Sequence, residues 1–549
     1  MTPKRLLLLA LALGLVVTSA VALPRAPARA QTTDQDLIDL ACSLPHEFVL
    51  RTWRGWRLDR GAQLSYIAQE PNFVGSGLPH VGPWDYVQDV PMLWYGPPFV
   101  PAGRSVSRPV TLAGMAPTVA ELLHFGGFRA IDGRPMTEAI EPMDRTPKLI
   151  VTMVWDAGGM NVLDEWPDAH PYLDSLITKG TWYLDATVGS SPTSTAQDHA
   201  TIGTGAFPNH SGITGHHLII GDRLTSPWNE GPAFMIEPTI GDLYDIAMDN
   251  EPIVGIVGTV DIHFGMLGHG SFFTGGDRDI ALTRSVIGGE TLTDEGFEWN
   301  LPPRDAAYYK LPNYANDVPG FEDDVRRVDQ ADGKLDGLWR DNSIDQLLKG
   351  FDTPARTPYQ GRVIEAVIQE EGFGKDDTPD LLYLNFKEID YVSHVWSMNS
   401  LEMRDAVVAQ DLALRRFVSF LNKQVGKGNW VLALTSDHGA MPDPSVSGGF
   451  QISTAPIEAG INENFDTDGD DTPVVDLVQP SQVFLNVDEL EQNGFTVGDV
   501  ARYVMTLTQA QSAGPGQTVD PATANETVFQ AAFPSALMDS LPCLPEARR

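Results

Sequence analysis

The chain has 549 residues, enough to bury a large core as one big α/β domain or as two to four smaller ones. Its 37 Lys and Arg against 73 Asp and Glu give a formal charge of -36, which argues against nonspecific binding to nucleic acid or to anionic membrane. An anionic substrate would need local positive charge, and metal ions are one source of it.

Met1-Thr2-Pro3-Lys4-Arg5, the apolar run 6–22 and Ala28-Arg29-Ala30 have the charged, apolar and small-residue segments of a secretory signal peptide, with cleavage expected near Ala30. The alternative is an uncleaved N-terminal membrane anchor, because the apolar run sits at the lower limit of a span. The protein is therefore expected to be secreted, periplasmic or extracellular. In that setting its two cysteines, Cys42 and Cys543, are expected to form one disulfide tying the chain ends together.

Residues 47–53 and 62–68 read as strands, followed by a Gly/Pro-rich loop over 71–83 that contains His80. A buried strand over 90–95 and an amphipathic helix over 115–123 come next, with Pro117 in the first turn of the helix, where its missing N–H does no harm. An α/β alternation then begins: strand 149–155, helix 172–179, the hydroxyl-rich turn Ser190-Ser191-Pro192-Thr193-Ser194-Thr195, helix 196–204 and strand 253–257. Residues 265–356 lack periodicity and read as loops. Strand 381–386, helix 401–423 and strand 430–436 complete a largely parallel sheet. The remainder, with a strand over 483–487 and a helix over 497–509, suits a small α+β lobe.

Three of these strands end in metal-capable residues: Asp156, the pair Asp390 and His394, and the pair Asp437 and His438. In parallel α/β sheets the carboxyl ends of the strands share one rim, where ligands bind. Asp390 and His394 are spaced to share one face of a helical turn. Carboxylate and imidazole together suit Zn²⁺, and ligand type alone leaves Mn²⁺ or Fe open.

Asp156 after a strand, SPTSTAQDHATIGTGAFPNHSGITG, the D-x-x-x-H of Asp390 and His394, and TSDHG, in that order, resemble the alkaline phosphatase superfamily, in particular its type I phosphodiesterase and nucleotide pyrophosphatase branch. The resemblance implies a three-layer α/β fold and a two-zinc site. In that site Asp156, Asp437 and His438 hold one ion, Asp390, His394 and a further His hold the other, and Thr195 coordinates metal and attacks phosphorus. In the family the further His follows the DHG segment, but this chain has none after His438. HVGPWDYVQDVPMLWYGP, starting at His80, instead resembles the family's closing motif, and VTLAGMAPTVAELL continues it. The reading is a circular permutation in which residues 46–142 are the family's C-terminal portion and His80 supplies the missing ligand. The expected organisation is a signal peptide over 1–30 and one catalytic domain over 31–549, with a core at 147–445 and the small lobe at 446–540.

Coordination to Zn²⁺ lowers the pKa of a hydroxyl, and a second ion clamps the in-line transition state, so the resemblance implies a phospho-threonine that water hydrolyses. Thr193 and Ser194 are the rival hydroxyls. Thr195 aligns with the family nucleophile and opens a helix, whose N-terminal dipole favours an oxyanion. Where the family often has an Asn donor to a phosphoryl oxygen, this chain has His216. Where monoesterase-like members carry Lys-x-Arg, it has Gly276-Asp277-Arg278, which keeps Arg278 as a candidate phosphate contact or a surface ion-pair residue. The missing lysine tilts the expectation toward diesters. His199, His210 and His217 read as structural. The expectation is thus an exported zinc-dependent phosphodiesterase acting on a small phosphate ester, with no nucleic-acid partner beyond nucleotide substrates. The alternatives are a phosphomonoesterase or, from another class, an inactive metal-binding surface protein.

Overall fold

The computed structural model describes residues 34–284, 298–350 and 353–548. The expected signal peptide lies outside them. Helix α1 (His46–Arg54) and strand β1 (Leu64–Ala68) lead into β2 (Met92–Tyr95), β3 (Arg104–Val106) and α2 (Met115–Leu122). The α/β core follows as β4 (Leu149–Trp155), α3 (Pro171–Ile177), β5 (Thr181–Tyr183), α4 (Thr195–Thr204), α5 (Ile240–Ala247), β6 (Val254–Val257) and β7 (Ile280–Leu282). It continues through α6 (Arg356–Val367), β8 (Asp380–Phe386), α7 (Glu388–Trp396), α8 (Leu401–Leu421) and β9 (Trp430–Thr435). The last stretch contains β10 (Val475–Gln479), β11 (Gln482–Leu485), α9 (Val497–Val504) and β12 (Phe529–Pro534).

The central sheet has eight strands in the order β7-β6-β8-β4-β9-β2-β5-β3. Only β2 runs against its neighbours β9 and β5. Every residue of β4 is buried, as the continuous apolar run Leu149 to Trp155 requires of a strand covered on both faces. Alternation divides those side chains between two cores: Ile150 and Val154 pack with Ala196 and Ala200 of α4, while Val151 and Met153 pack with Met403, Val407 and Phe417 of α8. The result is a three-layer α/β fold.

Register places the chemistry. Phe386 of β8 pairs with Trp155 of β4, and Thr435 of β9 pairs with Val154, so Asp156, Lys387 and Asp437 leave the sheet at one rim.

A second, four-stranded sheet has the order β10-β11-β1-β12, with β1 antiparallel between β11 and β12. Its core joins Leu37, Val49 and Leu64 to Val483, Phe533 and Leu544. A disulfide between Cys42 and Cys543 closes this lobe, with Cα atoms 5.6 Å apart across 501 positions.

Three local expectations change. Residues 47–53 form part of α1, not a strand: Pro45 precedes its first turn, and Val49, Leu50, Arg51 and Thr52 are buried, so packing of one helical face overrides the β-forming side chains. Residues 265–356 are not all loop, because they hold edge strand β7 and a helix, Phe321–Asp329; three residues of strand are too few for a visible period. The helix expected over 497–509 stops at Val504.

Candidate active site

Strand β4 delivers Asp156, which is fully buried, with its N–H donating to the Phe386 carbonyl at 3.0 Å. Ser194, in extended conformation, caps α4, so Thr195 stands in the first turn of a ten-residue helix with its orphan N–H groups. Asp198 locks the turn by accepting from Ser194 N at 2.8 Å. Of the rival hydroxyls, Thr193 is occupied elsewhere: it donates to the His80 carbonyl at 2.6 Å and accepts from Gly82 N at 3.3 Å, binding the His80 loop to the hydroxyl-rich turn before Thr195.

The structure brings together seven residues singled out in the sequence. His80 Nε2 is 3.1 Å from Asp390 Oδ1, and His394 Nε2 is 3.4 Å from the same oxygen. His394 Nδ1 meets the Gly77 carbonyl, which turns Nε2 inward. His438 Nε2 lies 3.2 Å from Asp437 Oδ2 and 3.9 Å from Asp156 Oδ1, while its Nδ1 faces the Gly439 carbonyl at 3.1 Å. The His80 and His438 rings stack with centroids 3.7 Å apart. Thr195 completes the group through the contact described next.

Lys387 had no role in the sequence reading and stands at the centre. Its Nζ is 2.8 Å from Asp156 Oδ1, 2.8 Å from Asp390 Oδ2 and 2.9 Å from Thr195 Oγ1. The signal was present as a lysine directly after a strand that is mostly apolar and buried throughout. Two more partners were missed. Asn385 donates to Asp156 Oδ2 at 2.9 Å and lies 2.9 Å from His199 Nε2. His263 accepts from Thr259 N at 2.9 Å and from Val260 N at 3.2 Å through Nδ1, which leaves Nε2 as the protonated nitrogen, 3.4 Å from Asp156 Oδ2. His199 Nδ1 meets the Thr195 carbonyl at 2.8 Å, so this histidine supports the first turn of α4.

At this rim three sets of ligand atoms cluster tightly enough for an ion: His80, Asp390 and His438; Asp156, Asp437 and His438; and Asp156, His199 and His263; two further acidic groups among the described residues, Asp245 with Asp277 and Asp279 and Asp466 with Asp468 and Glu489, lie elsewhere. Asp390 Oδ1, Asp437 Oδ2 and His438 Nε2 are buried and lack an aligned hydrogen bond despite their close neighbours. Close approach without hydrogen-bond geometry is what ligands aimed at a common cation show, so the donor set fits divalent ions of the zinc class. The electrostatics agree. Burial works to raise the Asp156 carboxyl, yet the Lys387 ammonium and His263 hold it far below the usual range. Burial likewise disfavours charge on His438, but Asp437 and Asp156 push its pKa up to about 9. A site that pulls cations this strongly has excess negative charge to neutralise.

A cleft of about 480 Å³ opens over Thr195 and Lys387, lined by His216, by Val260 and Ile262, and by Gln479 to Gln482 at the turn between β10 and β11 of the lobe. His216 Nε2 is buried without a hydrogen-bond partner, and burial lowers the pKa of the ring to about 3. Arg278 is exposed and is not among the cleft's lining residues. His210 pairs with Asp132 at 2.8 Å, away from the cleft.

The profile of the type I phosphodiesterase / nucleotide pyrophosphatase family matches residues 150–535. The chain is 24% identical over 415 residues to a protein named calcium-transporting ATPase from Myroides odoratus, covering 66% of this chain and 73% of that one. It is 30% identical over 162 residues to alkaline phosphatase PafA of Elizabethkingia meningoseptica, covering 28% of this chain and 29% of that one. It is also 25% identical over 341 residues to alkaline phosphatase PhoV of Synechococcus elongatus, covering 54% and 60%. Among solved structures, wild-type alkaline phosphatase PafA superposes with a TM-score of 0.53 at 19% identity, over 72% of this chain and 85% of that one, a likeness of fold.

Proposed function

For a chain that belongs to the type I phosphodiesterase / nucleotide pyrophosphatase family of the alkaline phosphatase superfamily, we propose that it hydrolyses phosphoric esters through a covalent intermediate on Thr195, with two divalent ions of the zinc class. The observation that carries this reading is the convergence of Thr195 Oγ1, Asp156, Asp390, Asp437 and His438 at one rim of the sheet, beneath an open cleft. Asp156, Asp437 and His438 would hold one ion beside the threonine, and Asp390, His394 and His80 the other. Ions held there would lower the pKa of the hydroxyl and polarise the phosphoryl oxygens.

The chain's own residues prepare the reaction. The α4 N-terminus and the Asp198 lock present the hydroxyl outward, and His199 anchors the first turn through the Thr195 carbonyl. His216, neutral and unpartnered, is placed to donate to a phosphoryl oxygen from the opposite wall. Val260 and Ile262 line the cleft beside Thr195 and give that part of it an apolar wall. Thr195 attacks in line as the ester oxygen departs, and water then releases phosphate from the threonine.

Two further readings accompany this one. A circular permutation is supported by His80: it comes from the N-terminal side of the core, yet it sits 3.1 Å from Asp390 as a ligand of the second ion would. Export is supported by the Cys42–Cys543 disulfide, which persists in oxidising compartments. No helix among the described residues is long and apolar enough to cross a membrane.

The test is hydrolysis of p-nitrophenyl phosphate and of bis-p-nitrophenyl phosphate by metal-loaded protein, with Thr195→Ala beside it and an acid-quench search for phospho-threonine. Undiminished turnover by Thr195→Ala would overturn the reading.

A further inference from the structure

We propose that Lys387 is a catalytic residue whose ammonium binds a non-bridging oxygen of the transferring phosphoryl group and so favours dianionic monoesters over monoanionic diesters. The inference rests on the assignment of Thr195 as nucleophile made above.

An ammonium has three N–H donors, and each of the three on Lys387 has a short acceptor: Asp156 Oδ1, Asp390 Oδ2 and Thr195 Oγ1. Two carboxylates aim the group, so the third donor lies on Thr195 Oγ1 in the free protein and passes to a non-bridging oxygen once Oγ1 is bonded to phosphorus. The backbone fixes the approach, because Lys387 directly follows β8 and its neighbour Phe386 is paired with Trp155, next to Asp156. The side chain is 9% exposed, and Lys387 lines the cleft. It touches reactant without being open to bulk water.

The three N–H donors of Lys387 are all directed at acceptors, so Nζ donates to Thr195 Oγ1 and does not accept from it, and a positive charge at the reacting oxygen is a preorganised electrostatic device. As the Thr195 Oγ1–P bond forms, the ester P–O bond breaks, its electron pair leaves on the alcohol oxygen, which takes a proton from water, and the Thr195 proton passes to water. In the second half water attacks phosphorus, breaks the Oγ1–P bond and restores the threonine, releasing inorganic phosphate. Through both halves a non-bridging oxygen lies within reach of Nζ. A monoester brings a second negative charge to that point, which a diester lacks, so the ammonium attracts the monoester more strongly.

The experiment compares wild type, Lys387→Met and Lys387→Arg, each metal-loaded and assayed for bound metal, on p-nitrophenyl phosphate and bis-p-nitrophenyl phosphate, with inhibition by inorganic phosphate as a second readout. Lys387→Met is expected to lose about 100-fold in kcat/KM on the monoester, at least ten times less on the diester by the argument above, and to weaken phosphate inhibition in parallel. Lys387→Arg keeps the charge and should retain the monoester preference. Equal losses on both esters, unchanged phosphate inhibition, or loss of bound metal in Lys387→Met would each overturn the proposal. Failure of the nucleophile assignment is seen separately, as full activity in Thr195→Ala.

Discussion

Lys387 Nζ donates to Thr195 Oγ1 at 2.9 Å while Asp156 and Asp390, each an expected ligand of a different ion, hold the same ammonium at 2.8 Å. One side chain thus ties Thr195 to both expected ligand sets. The expectation of diesters came from the glycine at 276, where a lysine would have indicated monoesters. Lys387 offers an ammonium from another strand end, so the missing lysine no longer argues against a dianionic substrate.

Removing the metal should abolish turnover and lower stability together. Three buried carboxylates converge within the candidate ligand sets, and without divalent cations their repulsion is left to Lys387 and His438. Chelation is expected to cut activity by at least about 1000-fold and to lower Tm, with zinc restoring both. Calorimetry with and without chelator checks this, and an unchanged Tm would count against ion binding at these residues.

Thr193→Val should weaken metal binding without touching a ligand. Its hydroxyl holds the His80 carbonyl at 2.6 Å, so the variant frees the loop that carries His80. A loss of about 10- to 100-fold in affinity for one ion is expected, read by competition with a chromogenic chelator. Equal affinity for both ions in variant and wild type would remove His80 from the ligand set.

Replacing both cysteines by serine should destabilise the lobe while sparing the chemistry. The bridge closes a loop of most of the chain, and its loss is expected to cost about 2–5 kcal/mol. Thermal unfolding should move down while kcat at 25 °C stays near wild type, since the expected ligands other than His80 follow the ends of strands β4, β8 and β9 of the eight-stranded sheet. A collapse of kcat at full folding would show that the lobe's wall of the cleft depends on the bridge.

Asp245 predicts a pH effect on stability away from the site. Burial, reinforced by Asp277 and Asp242, raises its carboxyl from 3.8 to about 7. Between those values the folded chain holds a proton that the unfolded chain has released, so this group's contribution to stability is present below about pH 4 and is lost as pH rises through about 7. Asp245→Asn should therefore raise Tm by on the order of a few degrees at pH 8 and by less at pH 5. A gain that is the same at both pH values would assign the effect to packing instead of charge.

The core was readable because its signals are local. The mostly apolar runs that became β4, β8 and β9 are long enough to identify buried strands, and each is followed by a residue of the candidate site: Asp156, Lys387 and Asp437. Residues 47–53 were misread because β-forming side chains on a short segment do not reveal which face will be covered, and the partners that cover α1 lie near the other end of the chain. Arg278 looked promising by its place in the sequence, yet the loop carrying it turns to solvent.

The sequence by itself determined the sheet's apolar strands, the order of the metal-capable residues along the chain and the hydroxyl-rich turn that opens α4, since these follow from composition and spacing over a few residues. Only the tertiary structure decided that His80 reaches Asp390 from 310 positions away, that Thr193 serves as a tether, and that Lys387 sits on Thr195. Those relations depend on strand register and on which loops share a rim, and no stretch of chain short enough to read alone contains both partners.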